Sequence, residues 1–383
     1  MSSRPAILLI SADGALAGSL GEAMRGDADF ALLHHAGGLE ASLAASTLAR
    51  AAVVAVEVDA ARRDHLFALQ SLMMQCVGQP VVVLVEACSD AVQRWFFQIG
   101  VRDLLRKPVA GADVLGACRR LLAGALDPPS DYAEVTSFIP AAGGVGNTTL
   151  AIEAAMQILG ARPNANSVAL VDLDLHSDAC ADFLDLEPRL DFTEIGENGE
   201  RLDQQLLEAM TTRHASGLAL VAAPSVAGQL RELQSAAILR LLDVVAGHFQ
   251  NVVIDMPRMW HPWTDGILIG SDRTFIVTDM TVPGLRFARR IADQVNARLG
   301  LKTSARVIVN RYERRFLGAG LRRGDVASAL DGIFAGEIAN NYQLVREAID
   351  QGVPLGTVKP GNNISTGMKR ILFECAQDER RAS

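Results

Sequence analysis

Residues 139–150 (IPAAGGVGNTTL) set three glycines and two threonines between an apolar, strand-like run and a helical pattern. That context suits a phosphate-binding turn. Gly143, Gly144 and Gly146 let backbone N–H groups crowd around an anion, with Val145 between them. A helix beginning near Thr148 would add the positive partial charge of its N-terminus. Thr148 would offer its hydroxyl to Mg²⁺, with Thr149 beside it. Three further segments end in residues that could serve such a site: VALVDLDL (168–175) with Asp172 and Asp174, NVVIDMP (251–257) with Asp255, and VIVNR (307–311) with Asn310. Each polar group follows an apolar run. Taken singly, each Asp could cap a helix or close a turn, and the glycines could be no more than a tight connection. Together, at the C-terminal ends of successive strands, they would share one sheet edge, where open α/β sheets bind ligands.

The elements that would carry them alternate strand and helix. Strands are expected at Val135–Ile139, Val168–Leu173, Leu218–Ala223, Val252–Met256, Thr274–Thr278 and Arg306–Val309, with helices near Asp203–Thr212, Ala236–Phe249 and Val282–Leu299. A similar series precedes it: apolar runs Ala6–Ser11, Ala52–Val58 and Pro80–Val85, and a strand at Leu104–Leu105, with helices between and a last helix at Ala112–Ala123. Such runs suit buried parallel strands. LDPPSDYA (126–133) has linker composition. The expectation is two doubly wound α/β domains, 1–125 and 134–377, a linker at 126–133 and a flexible tail at 378–383.

The composition allows two cores and narrows the function. The chain has 383 residues, 49% of them hydrophobic, and a net charge of −8, which opposes broad non-specific nucleic-acid binding. Cys76, Cys88, Cys118, Cys180 and Cys375 show neither a disulfide framework nor zinc spacing and fit a reducing compartment. The N-terminal apolar run is strand-length, without a cleavage site, and no stretch is long enough to span a bilayer. A cytoplasmic protein is expected.

The Gly-rich turn and the three strand ends resemble the deviant P-loop ATPases of the MinD/ParA type, whose loop reads K-G-G-V-G-K-T-[ST]. Gly143, Gly144, Val145, Gly146, Thr148 and Thr149 match. Both lysines are replaced, the first by Ala142 and the second by Asn147. In the family the first reaches the partner's nucleotide across a dimer and the second pairs the β- and γ-phosphates. The resemblance implies ATP and Mg²⁺ at a weakened site, with Thr148, Asp172 and Asp255 toward the metal. It implies Asp174 near an attacking water and Asn310 against the adenine. Asn147 can still donate a hydrogen bond, but charge-assisted bonds to phosphate are about twice as strong as neutral ones.

The first domain resembles a response-regulator receiver. GVRDLLRKPV (100–109) is similar to the last receiver strand, with Lys107 as the family's lysine and Pro108 after it, expected behind a cis bond. The phosphorylated Asp is replaced by Glu57; Asp59 falls two residues on, along a loop. The acidic pair after the first strand is reduced to Ser11, Ala12 and Asp13, and the Ser/Thr after the fourth is lost near Glu86. This pattern implies a constitutive protein-interaction module; the alternative is an unrelated flavodoxin-like domain.

The pairing of these domains resembles the CpaE/TadZ family of Flp/Tad (tight-adherence) pilus assembly proteins, to which NNYQLVREAIDQGVPL (340–355) is also similar, with Asn341 where Asp is common. The resemblance implies a homodimer at the cell pole or inner face of the inner membrane. Its implied partners are the pilus secretion ATPase and inner-membrane assembly proteins; membrane contact would come only through partners, and no specific nucleic acid is bound. A working MinD/ParA-like switch and an atypical signalling regulator are the competing functions. Three other segments are less specific. Arg311–Arg323 suits a solvated helix face or a contact with an acidic partner or phosphate surface, Trp260 and Trp263 an interface or a core edge, and Met368–Ala376 a docked terminal helix.

Overall fold

A computed structural model describes residues 5–25, 30–39, 43–76, 79–122, 133–161, 166–196, 199–225, 234–299, 305–313 and 321–382. The chain divides into two compact units, Met1–Asp131 and Tyr132–Ser383. Of the expected linker, all but Ala133 lies outside the described residues.

In the first unit, β1 (Ala6–Ile10), β2 (Ala31–His35), β3 (Ala51–Glu57), β4 (Val81–Val85) and β5 (Asp103–Arg106) form one sheet in the order β2-β1-β3-β4-β5. Every pairing is parallel. This is the flavodoxin-like order. Strands β1 and β4 are buried along their whole length, because helices cover both faces of the sheet. One face packs Ile7, Leu9, Val53 and Leu84 against Leu16 and Leu20 of the Gly14–Met24 helix. Val114 and Cys118 of the Gly111–Leu122 helix complete that layer. The two helices approach so closely that only glycine fits at 111: an added Cβ would lie 2.2 Å from the Leu20 backbone nitrogen.

The second unit is an eight-stranded sheet. Its strands are β6 (Glu134–Pro140), β7 (Val168–Asp172), β8 (Thr212–Arg213), β9 (Ala219–Val221), β10 (Asn251–Asp255), β11 (Arg273–Asp279), β12 (Arg306–Tyr312) and β13 (Phe334–Ala339). The order is β13-β12-β11-β6-β10-β7-β9-β8, parallel except for β8 against β9. Strand β6 lies between β10 and β11, so the order reverses there and a crevice opens at its C-terminal end. The Asn147–Ala161 helix presses Leu150, Ala154 and Ile158 onto a layer that includes Phe138, Val253 and Phe275. Ile364, Met368 and Ile371 of the last helix join the same cluster.

Several sequence expectations need correction. The sequence reading passes over β2, β8 and β13. The first carries a half-exposed ALLHH pattern, the second is two residues long, and the third alternates small residues at an edge. The 378–383 segment, expected to fray, has helical backbone as far as Ala382. It extends a helix already docked through Met368 and Leu372, and propagation is far easier than nucleation. The Arg311–Arg323 stretch is not one helix face. Arg311 belongs to β12, residues 314–320 lie outside the described residues, and Arg323 opens a separate helix. The Lys107–Pro108 bond is cis. Among the described residues no helix is long and apolar enough to cross a membrane.

Candidate functional site

The glycine turn connects β6 to the Asn147–Ala161 helix, with Gly144 at φ 71° and Gly146 at φ 87°. These left-handed conformations favour residues without Cβ. Gly146 is further constrained by Asn310, whose Nδ2 would lie 2.5 Å from a Cβ there. Asn310 lies in β12 level with Asp279 at the end of β11 and donates from Nδ2 to the Val145 carbonyl at 2.8 Å. It therefore braces the turn. The sequence-based expectation set it against adenine; in this structure its amide nitrogen is engaged by the turn itself.

Asp172 and Asp255 are direct neighbours across β7 and β10, and Asp255 is level with Phe138 of β6. Both are buried, at 3% and 2% exposure. Asp172 accepts from the backbone N–H of Asp174 at 2.9 Å and of Cys180 at 3.3 Å. Asp255 accepts from Asn147 Nδ2 at 2.6 Å, from the Cys180 thiol at 3.5 Å and from the Thr148 hydroxyl. Burial pushes both carboxyls above the ordinary carboxylate range. The Asp255 charge raises Asp172 further, while hydrogen bonds from Thr148 and Asn147 hold Asp255 back.

Asn147 is the informative residue. A lysine here would extend toward a phosphate in the turn. The shorter amide instead donates from Nδ2 both to Asp255 and to the Phe138 carbonyl at 3.0 Å, and its buried Oδ1 has no partner among the described residues. Its donor thus ties the helix N-terminus to the sheet edge and is not held out to the cleft. The sequence motif located Asn147 but could not show which way its amide would turn.

The turn opens into a cleft of about 420 Å³. Gly143, Gly144, Val145, Gly146, Asn147, Thr148, Thr149, Asp174, Asp255 and Asn310 all line it. Asp172 is close behind and does not. The facing wall is the Tyr342–Gln351 helix, capped by the Asn341 side chain, which accepts from Leu344 N at 3.4 Å. Asn thus performs the capping expected of an Asp. Three arginines, Arg258, Arg311 and Arg346, also line the cleft. Sequence reasoning missed Arg258, since a lone arginine three residues beyond Asp255 has no periodicity to mark it. The two tryptophans separate: Trp263 is buried and stacks on His261 at 4.7 Å, whereas Trp260 is partly exposed and donates to Asp265 at 2.9 Å.

The residues present fit Mg²⁺. The Thr148 hydroxyl and the paired carboxylates are hard oxygen donors, and a divalent ion would relieve the repulsion that raises Asp172. Asp172 and Asp255 bring carboxylate oxygens within 4.8 Å of one another, whereas the Cys180 thiol beside them is a soft donor that Mg²⁺ does not take.

At the edge of the first sheet, Glu57 is bridged by the Lys107 ammonium and accepts from the Ser11 hydroxyl. Asp13 lies 3.4 Å from Lys107 and caps the Gly14–Met24 helix by accepting from Ala15 N and Leu16 N. Asp59 is exposed, lines one cleft with Asp13, Glu57 and Lys107, and accepts from Ala61 N at 3.0 Å. The Leu16 hydrogen bond holds Asp13 below its usual range, and the bond to Glu57 raises Lys107.

Solved structures with the same fold include a ParA family ATPase from Chlorobium tepidum TLS, at 19% identity and TM-score 0.56 over 64% of this chain and all of that one. The Aquifex aeolicus MinC:MinD cell division complex matches at 20% identity and TM-score 0.52, covering 64% of this chain and 96% of that one. The septum site-determining protein MinD complexed with Mg-ADP, from Pyrococcus horikoshii OT3, matches at 15% identity and TM-score 0.53, over 66% and 99%. No family model matches the chain, and no curated protein matches its sequence. The covered share is close to the second unit in length, and at these identities the likeness establishes architecture alone: the fold of MinD/ParA-type P-loop ATPases.

Proposed function

We propose that the second unit holds a nucleotide with little or no turnover and that the chain serves as a positioning and assembly factor. The carrying observation is the Asn147 amide, committed to Asp255 and the Phe138 carbonyl where a P-loop ATPase would present a cation. Backbone N–H groups of Gly143–Gly146 and the helix N-terminus would bind phosphate oxygens. Thr148 and Asp255 would hold Mg²⁺, and Mg²⁺ would neutralise phosphate charge. Asp174, which lines the cleft, would face the attacking water. Without a lysine, charge developing on the phosphates meets no loop cation, and transition-state stabilisation suffers more than binding.

The finer reading is a CpaE/TadZ-type localisation factor for Flp/Tad pilus assembly. It would dimerise through the ATPase-like unit and recruit the pilus secretion ATPase and inner-membrane assembly proteins, in the cytoplasm at the cell pole. The first unit would be a receiver-like docking module. Its flavodoxin-like sheet and the Glu57–Lys107 bridge, with a carboxylate standing where a receiver carries its phosphorylated Asp, support that. Domain limits of 1–125 and 134–377 fit this division. The convergence of Thr148, Asp174 and Asp255 on the cleft favours a second reading, a working ATPase switch. Calorimetric titration with Mg-ATP, followed by phosphate release on the same sample, separates them. Binding without release is expected. Steady release would establish the switch, and no binding would remove the nucleotide from the account.

A further inference from the structure

We propose that Arg258, from the turn after β10, supplies the phosphate-binding cation that the glycine turn lacks, with Arg311 assisting from the other side of the cleft. The ligand class is a nucleoside triphosphate, and this inference rests on the nucleotide reading above. Ala142 and Asn147 leave the turn without a charged side chain, and Asn147's donor is already engaged. The Arg258 guanidinium lies over the first glycine of the turn: a methyl group at Gly143 would come within 3.9 Å of its Nη1.

Both arginines line the cleft, and among the described residues no carboxylate pairs with either guanidinium. Arg346, on the same wall as Tyr342, differs: it pairs with Asp350 at 3.6 Å. In a chain with 44 acidic and 36 basic residues, two cations left without acidic partners beside an anion-binding turn are suited to an anion from outside. Their backbones are fixed. The Met256 N–H bonds to Phe138 O at 3.0 Å and Leu173 N to Asp255 O at 3.0 Å, which anchors the start of the Arg258 turn to both neighbouring strands. Arg311 sits at φ 53°, where its N–H meets Asn310 Oδ1 at 2.8 Å. A non-glycine residue in that conformation is strained, and such strain concentrates at ligand sites. A guanidinium can bind two oxygens of one phosphate through parallel N–H bonds, a planar fork that a lysine ammonium does not offer. Asp174 and Asp255, on the cleft lining, would face the metal side of the same ligand.

The test is calorimetric titration of Mg-ATP and of adenosine into the full chain and into Arg258→Gln, Arg258→Lys and the control Arg290→Gln. Arg258→Gln should weaken Mg-ATP by about tenfold or more, the scale of a lost charge-assisted bond to phosphate. Arg258→Lys should weaken it less, adenosine should change little, and Arg290→Gln should match the wild type. Because Arg258 is exposed, its variants should keep the wild-type thermal transition. Mg-ATP affinity within twofold of wild type in Arg258→Gln would overturn this inference while the nucleotide site stands. Equal losses for Mg-ATP and adenosine would also overturn it, making Arg258 a wall of the cleft. A wild type that binds neither would overturn both.

Discussion

The two sheet edges present the same elements and treat charge in opposite ways. In the first unit, the carboxylate at the end of β3 is met by Lys107 and Ser11, so its charge is balanced within the chain. In the second, two carboxylates stand side by side at the ends of β7 and β10, while Arg258 and Arg311 line the cleft with no acidic partner among the described residues. A site that closes on its own ions has no standing requirement for a ligand. A site with unmatched charge of both signs is built to receive one. The same α/β architecture thus supports a fixed surface at one edge and a ligand-dependent one at the other.

The largest break in this comparison should come from Gly146→Val. It forces a β-branched residue to φ 87° and drives Cβ into Asn310. We expect a loss of about 3 kcal/mol or more in the second unit's unfolding and no detectable Mg-ATP binding, read by denaturant melts and titration. Lys107→Met opens the first edge instead. It leaves Glu57 with one neutral donor and should cost about 1–3 kcal/mol, with Lys107→Arg recovering part. The sign follows from the bridge: the folded Lys107 pKa is raised, so its contribution holds at neutral pH and is lost only as pH climbs past about 10.

Smaller effects sharpen the second edge. Asn147→Ala removes a donor from buried Asp255 and should cost about 1 kcal/mol, because it also removes the unpaired Oδ1. Asp172 and Asp255 have raised folded pKa values, so the folded unit binds more protons than the unfolded chain above about pH 4. Ligand-free stability should therefore fall as pH rises through neutrality, by at most about 1.4 kcal/mol per pH unit for each proton released. Asp172→Asn should flatten that slope, measured by thermal melts across pH 5 to 9.

Much of this was legible in the sequence, for identifiable reasons. Strands β1, β3, β4, β6, β7 and β10 are apolar runs because both sheet faces are covered, and a buried strand has few alternatives. The polar residues that follow such runs, Asp172, Asp255 and Asn310, come together at one edge for the same reason. Edge strands β2 and β13 escaped notice, since half-exposed pairing leaves little pattern in residue type. Side-chain direction was the harder limit. An amide after a glycine turn can face phosphate or carboxylate with equal chemistry, and only the geometry shows Asn147 choosing Asp255. Arg258 was missed because its role depends on a strand turn bringing it back over Gly143.

Amide hydrogen exchange of the full chain with and without Mg-ATP tests the contrast most directly. The account predicts slowed exchange in 142–150 and 255–258, around the glycine turn and Arg258, with the segments carrying Ser11, Glu57 and Lys107 unchanged. Unchanged exchange at the glycine turn under saturating Mg-ATP, or protection at the Glu57–Lys107 edge in its place, would contradict it.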